Sequence, residues 1–327
     1  MNVVRDGETS KLSSRDAVVA IGVFDGLHRG HQAVIDVLLD LKGSGSDDAL
    51  ATVVTFDPHP AQVLAPERAP RLLGTLEQRL EGFKALGIEQ VRVLTFDLEL
   101  ANESAPDFIR RVLVGELRTR EVVVGEDFRF GHDRRGDVAL LRAEGQRHGF
   151  AVHEAPTFGA PRWSSSVVRA ALLAGDVEGA NEVLGRAFVL RGLVEHGDAR
   201  GGELGFATAN LATAPHQLVP LAGIYAGAAR TPDAGWWPAA ISIGTRPQFY
   251  DDGPLLVEVH LPGFDGNLYD ASLDVAIMRR LRDEQVFSDV EALVAQIARD
   301  VDQTIELFKK FSPNASALLE YIFGQRR

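Results

Sequence analysis

Five short apolar runs, Ala17–Val23, Ala51–Thr55, Val91–Phe96, Val122–Gly125 and Phe150–Glu154, constrain this chain more than any other feature. They are rich in β-branched residues and nearly unbroken by polar ones. Strands buried on both faces of a parallel sheet have this pattern, whereas half-wet antiparallel strands alternate. Between the runs, Gln32–Leu41, Leu76–Leu86, Ala105–Leu117 and Val138–His148 carry apolar residues at helical spacing, Val34, Leu38 and Leu41 among them. Strand alternating with helix predicts a doubly wound α/β domain. Two more helices, Ser165–Leu173 and Val177–Leu184, bring it to a close near Gly185. The stretch Lys42–Asp48, made of Gly, Ser and Asp after its lysine, reads as a flexible surface loop.

Past that point the helical period disappears. Phe188–Val194, Gly223–Ala229, Ala239–Ile243, Leu255–Leu261 and Leu273–Ile277 are strand-like runs separated by Gly, Pro and Asn, which predicts a small antiparallel β-barrel. A long amphipathic helix is expected over Val290–Phe311, followed by a short helical tail beginning at Ser312 and Pro313. Two domains, 1–185 and 186–327, suit a chain of 327 residues when a domain takes about 150.

Composition narrows the function. There is no cysteine, so disulfides, thiolate zinc sites, iron–sulfur clusters and cysteine nucleophiles are excluded together. The formal charge of −12 is shared by both halves, which argues against a surface that coats nucleic acid. No run approaches the roughly 18 apolar residues that cross a bilayer. Met1–Arg15 has charges where a secretory signal has an apolar core, so no membrane association and a cytoplasmic location are expected. A net acidic chain still accommodates local phosphate sites, which need only backbone amides and a few cations.

The first predicted strand runs into Gly22-Val23-Phe24-Asp25-Gly26-Leu27-His28-Arg29-Gly30-His31 and then into a helix. Gly26 and Gly30 permit tight turning and close approach of a phosphate, and the new helix offers unpaired amides at its positive end. His28 and His31 straddle Gly30 and can donate hydrogen bonds as charge moves onto leaving pyrophosphate. A histidine pair at a helix start can also be a cap or half a metal site, but zinc lacks a third ligand here. His-x-Gly-His after the first strand of a doubly wound domain resembles the signature of the nucleotidyltransferase superfamily.

Further segments make the resemblance closer. Thr55-Phe56-Asp57-Pro58-His59-Pro60, Gly125-Glu126-Asp127-Phe128-Arg129-Phe130-Gly131, Ser164-Ser165-Ser166-Val167-Val168-Arg169 and Leu204-Gly205-Phe206-Ala207-Thr208-Ala209-Asn210 follow one another in the expected order. Over nearly its whole length the chain resembles the bacterial bifunctional riboflavin kinase/FMN adenylyltransferase (FAD synthetase) family. The resemblance implies an N-terminal FMN adenylyltransferase domain of the Rossmann-like nucleotidyltransferase type and a C-terminal riboflavin kinase barrel. Riboflavin, FMN, FAD and ATP are then the small-molecule partners, with ATP as co-substrate and Mg²⁺ as cofactor.

It also implies roles. In the first domain His28, His31 and Arg169 are catalytic, and Gly22, Phe24, Asp25, Gly26, Gly30, Ser164, Ser165 and Ser166 hold ATP. Asp57, Pro58, His59, Asp127, Phe128 and Arg129 lie on the FMN side. In the second, Thr208 and Asn210 hold the metal and, with Gly197, Gly201, Gly205 and Arg282, the kinase ATP or flavin, while Glu258 is the base for the ribityl hydroxyl. Serines before a helix are also ordinary caps, Phe128 can be a core aromatic, and His59 a loop stabiliser. Ala207 stands where the family has proline, and Gly202 where it commonly has arginine. These departures keep open a monofunctional FAD synthetase with a degenerate kinase barrel, and beyond it a non-catalytic flavin-binding regulator.

Overall fold

A computed structural model describes residues 1–45, 48–155, 163–196, 206–232, 235–244 and 255–311. Contacts group into two compact units, 1–70 with 76–163 and 71–75 with 164–327.

The first unit is a six-stranded sheet of order β1-β4-β3-β2-β5-β6, parallel throughout. Its strands are β1 (Asn2–Val4), β2 (Ala17–Ile21), β3 (Leu50–Asp57), β4 (Gln90–Thr95), β5 (Thr119–Gly125) and β6 (Ala151–Ala155). Successive residues of β2 enter different cores. Val19 and Ile21 pack with Leu94, Ile109, Leu113 and Leu141 on one face, and Val18 and Ala20 with Ile35, Leu38 and Phe83 on the other. Because both faces are covered, the strands lack polar alternation, which is why they read as continuous apolar runs. The helices of this unit are α1 (Arg29–Gly45), α2 (Pro60–Leu64), α3 (Leu76–Ala85), α4 (Leu98–Asn102), α5 (Ala105–Phe108) and α6 (Val138–His148).

Three local expectations are revised. Helix α1 continues through Gly45, so most of the Lys42–Asp48 stretch read as a loop is its last turn. The helix expected over Ala105–Leu117 widens after Phe108, where the Leu117 amide reaches back to the Val112 carbonyl at 3.0 Å, an i→i+5 bond. Strand β1 escaped notice because three residues show no period.

The second unit opens with α7 (Ser165–Leu173) and α8 (Val177–Leu184), and α8 packs on the barrel strands that follow. Asn181, buried on α8, donates to the Ile277 carbonyl at 3.0 Å and accepts from the Phe188 amide at 2.7 Å. The barrel is closed, in the order β10-β11-β8-β7-β12-β9, with every pairing antiparallel. Its strands are β7 (Phe188–Glu195), β8 (Thr208–Thr213), β9 (Gly223–Arg230), β10 (Trp236–Gly244), β11 (Leu256–His260) and β12 (Ser272–Arg282). Tyr225, Ile241, Ile243, Val257, Val259, Val275 and Ile277 are buried at alternate positions and fill the interior. The final helix, α9 (Val290–Phe311), lays Leu307 and Phe308 on a smooth outer patch formed by Ala226, Ala228, Ala276 and Met278. The strand absent from the sequence reading is β8, whose Thr-Ala-Asn-Leu-Ala-Thr is weakly apolar and gains its place from its partners. The expected tail helix at Ser312 lies outside the described residues.

Candidate active sites

In the first unit, β2 ends at Ile21 and the chain turns sharply before α1. Phe24 and Leu27 hold positive φ of 56° and 47°, either side of Gly26 at 82°. For a non-glycine residue this region costs roughly 1–3 kcal/mol and persists only where surroundings enforce it. The loop is accordingly buried: Phe24, Asp25, Leu27 and His28 are each at most 5% exposed. Gly30 is needed for space, since a Cβ there would lie 3.0 Å from the Trp163 carbonyl oxygen and 3.1 Å from the His28 ring.

The turn brings the two imidazoles together. Their rings stack with centroids 3.6 Å apart and planes 23° from parallel, and Phe24 meets His31 edge-on at 5.2 Å. Both lie at the carboxyl end of β2, where parallel sheets bind ligands. Burial, and then the adjacent His28 ring, holds His31 well below the ordinary histidine range. It is therefore neutral near pH 7. Its Nδ1 is buried and, among the described residues, has no hydrogen-bond partner, so a polar atom beside a helix N-terminus stands available to a ligand.

The flavin-side candidates sit on neighbouring loops of the same sheet. Asp57 ends β3 and is 42% exposed, with its carboxylate 3.7 Å from Arg79. After Pro58, His59 caps α2: its Nδ1 accepts from the Ala61 amide at 3.1 Å, and its own amide donates to Gln62 Oε1 at 3.1 Å. The loop-stabilising reading of His59 therefore has a concrete basis. Beyond β5, Asp127 and Arg129 are exposed, and Arg129 donates to the Phe128 carbonyl at 3.0 Å. Phe128 is half-buried and stacks on the core residue Phe130 at 5.2 Å.

Arg79 belongs to none of the motifs, yet the structure brings it to the same loop. It sits on the buried face of α3 with Leu76 and Phe83, and its Nη1 donates to the Val23 carbonyl at 2.7 Å. The signal was present as a cation at a core-facing helical position.

In the second unit Ser164 caps α7, accepting from the Val167 amide at 3.3 Å, with Ser165 and Ser166 opening the helix. Arg169, one turn on, donates its Nε to the Arg71 carbonyl at 2.7 Å.

On the barrel, Thr208 and Asn210 are two apart on β8 and share its outer face, while Ala209 and Leu211 point inward. The register sets Glu258 directly opposite Asn210, and Ser242 opposite Glu258 on the far side. Glu195 of β7 flanks Asn210 from the other direction. Side chains so paired have Cβ atoms about 5 Å apart. The row Ser242, Glu258, Asn210, Glu195 thus gathers hydroxyl, carboxylate and amide oxygens from four strands. Neither Ser242 nor Glu195 was expected there, because only register reveals them. His260, opposite Thr208, lies 2.8 Å through Nδ1 from the Ala207 carbonyl oxygen and meets Phe206 edge-on. The backbone where the family has proline is thereby held from another strand. Arg282 is engaged elsewhere, its guanidinium forked onto Asp300 of α9 at 2.7 and 3.0 Å and lying 5.8 Å from the Phe287 ring centroid. Gly197, Gly201, Gly202 and Gly205 fall outside the described residues.

No helix among the described residues is long and apolar enough to cross a membrane. The family model for FAD synthetase matches residues 10–166, and that for riboflavin kinase matches 184–308. A bifunctional riboflavin kinase/FMN adenylyltransferase of Pseudomonas fluorescens is 38% identical, over 92% of this chain and 96% of its own. Its counterpart in Escherichia coli K12 is 36% identical over 93% and 96%, and that of Bacillus subtilis 33% over 91% and 94%. Among solved structures, one described as a macrolide-efflux protein from Streptococcus pneumoniae superposes with a TM-score of 0.80 at 27% identity, covering 93% of this chain and 99% of that one. With both catalytic modules present in one chain and relatives matched from end to end, the protein belongs to the bifunctional riboflavin kinase/FMN adenylyltransferase family, making FMN from riboflavin and FAD from FMN at the expense of ATP.

Proposed function

We propose that adenylyl transfer to FMN takes place at the His28–His31 loop and riboflavin phosphorylation on the outer barrel face carrying Thr208, Asn210 and Glu258. The stacked imidazoles, with a buried Nδ1 that has no partner among the described residues beside the start of α1, carry the first assignment. An FMN phosphate oxygen attacks the α-phosphorus of ATP; the new P–O bond forms as the α–β bridge breaks, and pyrophosphate departs with the bridging oxygen. Charge grows on the phosphate oxygens, where helix amides and imidazole N–H groups are worth most. A neutral His31 still has one N–H to give. Asp57, Pro58, His59, Asp127, Phe128 and Arg129 form the flavin side, with the Phe128 ring suited to an isoalloxazine. Gly22, Phe24, Asp25, Gly26 and Gly30 shape the nucleotide side; for Ser164–Ser166 and Arg169 the family resemblance implies a role in binding phosphate.

On the barrel, Glu258 takes the proton of the ribityl hydroxyl as that oxygen attacks the γ-phosphorus and ADP leaves. The direct pairing of Asn210 with Glu258 supports this reading. Thr208 and Asn210 offer hard oxygen donors on one face, the set that suits Mg²⁺, which keeps several waters and takes few protein ligands. Held by Thr208 and Asn210, such an ion would supply positive charge to the ATP phosphates. The tie from His260 to the Ala207 carbonyl favours an active kinase over a degenerate one. Use of ATP by both reactions favours a cytoplasmic location.

Two substrates and two variants test the division. The unaltered protein forms FMN from riboflavin and FAD from FMN. Glu258→Gln loses about 10³-fold in FMN formation and keeps FAD formation from supplied FMN; His31→Ala does the reverse, losing about 10²-fold or more. A variant that depresses both activities equally, or neither, overturns the assignment.

A further inference from the structure

Helix α3 carries none of the motif residues, yet three adjacent positions on it seat the strained loop. Phe83 meets Phe24 edge-on at 5.4 Å. The site of a Cβ on Gly82 lies 2.3 Å from Leu27 Cδ1, so a larger residue there would displace the Leu27 side chain. Arg79 reaches furthest. Buried at 5% exposure, it donates to the Val23 carbonyl at 2.7 Å, to Thr55 Oγ1 at 3.2 Å and, from both terminal nitrogens, to the Phe56 carbonyl at 3.3 Å. Thr55 Oγ1 in turn donates to the same Val23 carbonyl at 3.1 Å.

These contacts lie at the carboxyl ends of two adjacent strands. Val23 leads into the loop bearing His28 and His31; Phe56 leads into the one bearing Asp57 and His59. A planar guanidinium with five donors can bridge two such backbones, whereas an ammonium is a single compact charge. Asp57 stands 3.7 Å away, and Asp25 and Asp57 also attract the cation electrostatically. Carboxylates on both loops therefore face the same buried charge.

We infer that Arg79 is a positioning residue for adenylyl transfer, holding the nucleotide-side loop and the flavin-side loop in one fixed relation. The inference rests on the assignment of that reaction to the His28–His31 loop. Orientation of two reactants is worth orders of magnitude in rate, and misplacement by about 1 Å can cost about 10²-fold. Loss of the bridge should therefore fall on kcat more than on KM.

Full-length Arg79→Met, Arg79→Lys and Phe83→Leu are compared for FAD formation from FMN and ATP, FMN formation from riboflavin, and thermal midpoint. Arg79→Met is expected to lose about 10²-fold in kcat for FAD with KM for ATP changed only a few-fold, and to keep riboflavin phosphorylation. Arg79→Lys, able to reach one carbonyl but not both, recovers about tenfold. Phe83→Leu keeps an apolar side chain against Phe24 and leaves every hydrogen bond of Arg79 in place, so it keeps kcat within about threefold after correction for folded fraction. The inference is overturned if Arg79→Met retains wild-type kcat, if it falls no further than Phe83→Leu at equal folded fraction, or if lysine restores nothing. Should His31→Ala also leave FAD formation intact, the site assignment itself fails; a silent Arg79→Met beside an inactive His31→Ala removes only the positioning role.

Discussion

The two candidate sites are built on opposite plans. The His28–His31 site is a loop held in costly backbone geometry, buried, and locked by a helix behind it. The Asn210–Glu258 site is a row of side chains on regular antiparallel strands, aligned by register and partly open to solvent. Both transfers place phosphorus between oxygens with little covalent work for the protein, so positioning is the common requirement. A loop achieves it through strain and buried hydrogen bonds, while a barrel achieves it through closure, which leaves each strand one register.

Four measurements sharpen or break this contrast. The largest effect belongs to the barrel's support. Arg282→Met leaves Asp300 buried with only Gln296 Nε2, at 2.9 Å, of its present charge-assisted partners. Chemical denaturation should report a loss of about 3 kcal/mol, and adding Asp300→Leu should recover most of it, as an apolar pair replaces an ionic one. No recovery would mean that the ion pair itself shapes the fold. Next, Asn210→Ala removes an oxygen donor from the row without disturbing the ladder. Riboflavin phosphorylation should fall about 10²-fold, near 2.7 kcal/mol, with a raised Mg²⁺ requirement and unchanged FAD formation from FMN. Loss of both activities would show that the barrel face is not an independent site.

Gly82→Ala tests the loop plan. The new methyl displaces Leu27 and with it the turn, so FAD formation should drop about tenfold, near 1.4 kcal/mol, while FMN formation holds. A fully active variant would show that the turn tolerates movement. The smallest effect is a slope. His31 has a depressed pKa in the folded chain, so above its ordinary value of 6.5 the ring is neutral in folded and unfolded forms and contributes nothing. Below 6.5 the unfolded chain binds a proton that the folded one refuses. Stability then declines as pH falls, by up to about 1.4 kcal/mol per pH unit, until the folded ring itself titrates. His31→Gln should flatten the decline between pH 6.5 and 5.5 in urea titrations; an unchanged slope would place the acid-labile group elsewhere.

Legibility in the sequence differed between the same two regions. The candidate loop was legible, because Gly26, His28, Gly30 and His31 lie within six residues between a strand and a helix. Its anchor was not. Arg79 is about fifty residues from His28, and an arginine amid Leu76, Leu80 and Phe83 looks like one polar residue on an amphipathic helix until its partners at Val23 and Phe56 are seen. On the barrel, Thr208, Asn210 and Glu258 were found only through their motif, and β8 itself passed unread. Its alternation is shallow, and short strands of Ala and Thr acquire a preference only from the neighbours they pair with.

Local chemistry was therefore decided along the chain. Continuous apolar runs specify a sheet covered on both faces, and the change of period after Gly185 specifies a second architecture. Glycines and imidazoles at a strand end mark the candidate site for phosphate. What tertiary structure alone decided is which distant residues share a face or a buried charge: the row from Ser242 to Glu195, the fork of Arg282 on Asp300, and the bridge made by Arg79. Period and propensity act over a few residues, whereas register and buried hydrogen bonds are settled by closure and by the cost of leaving any buried donor unpaired.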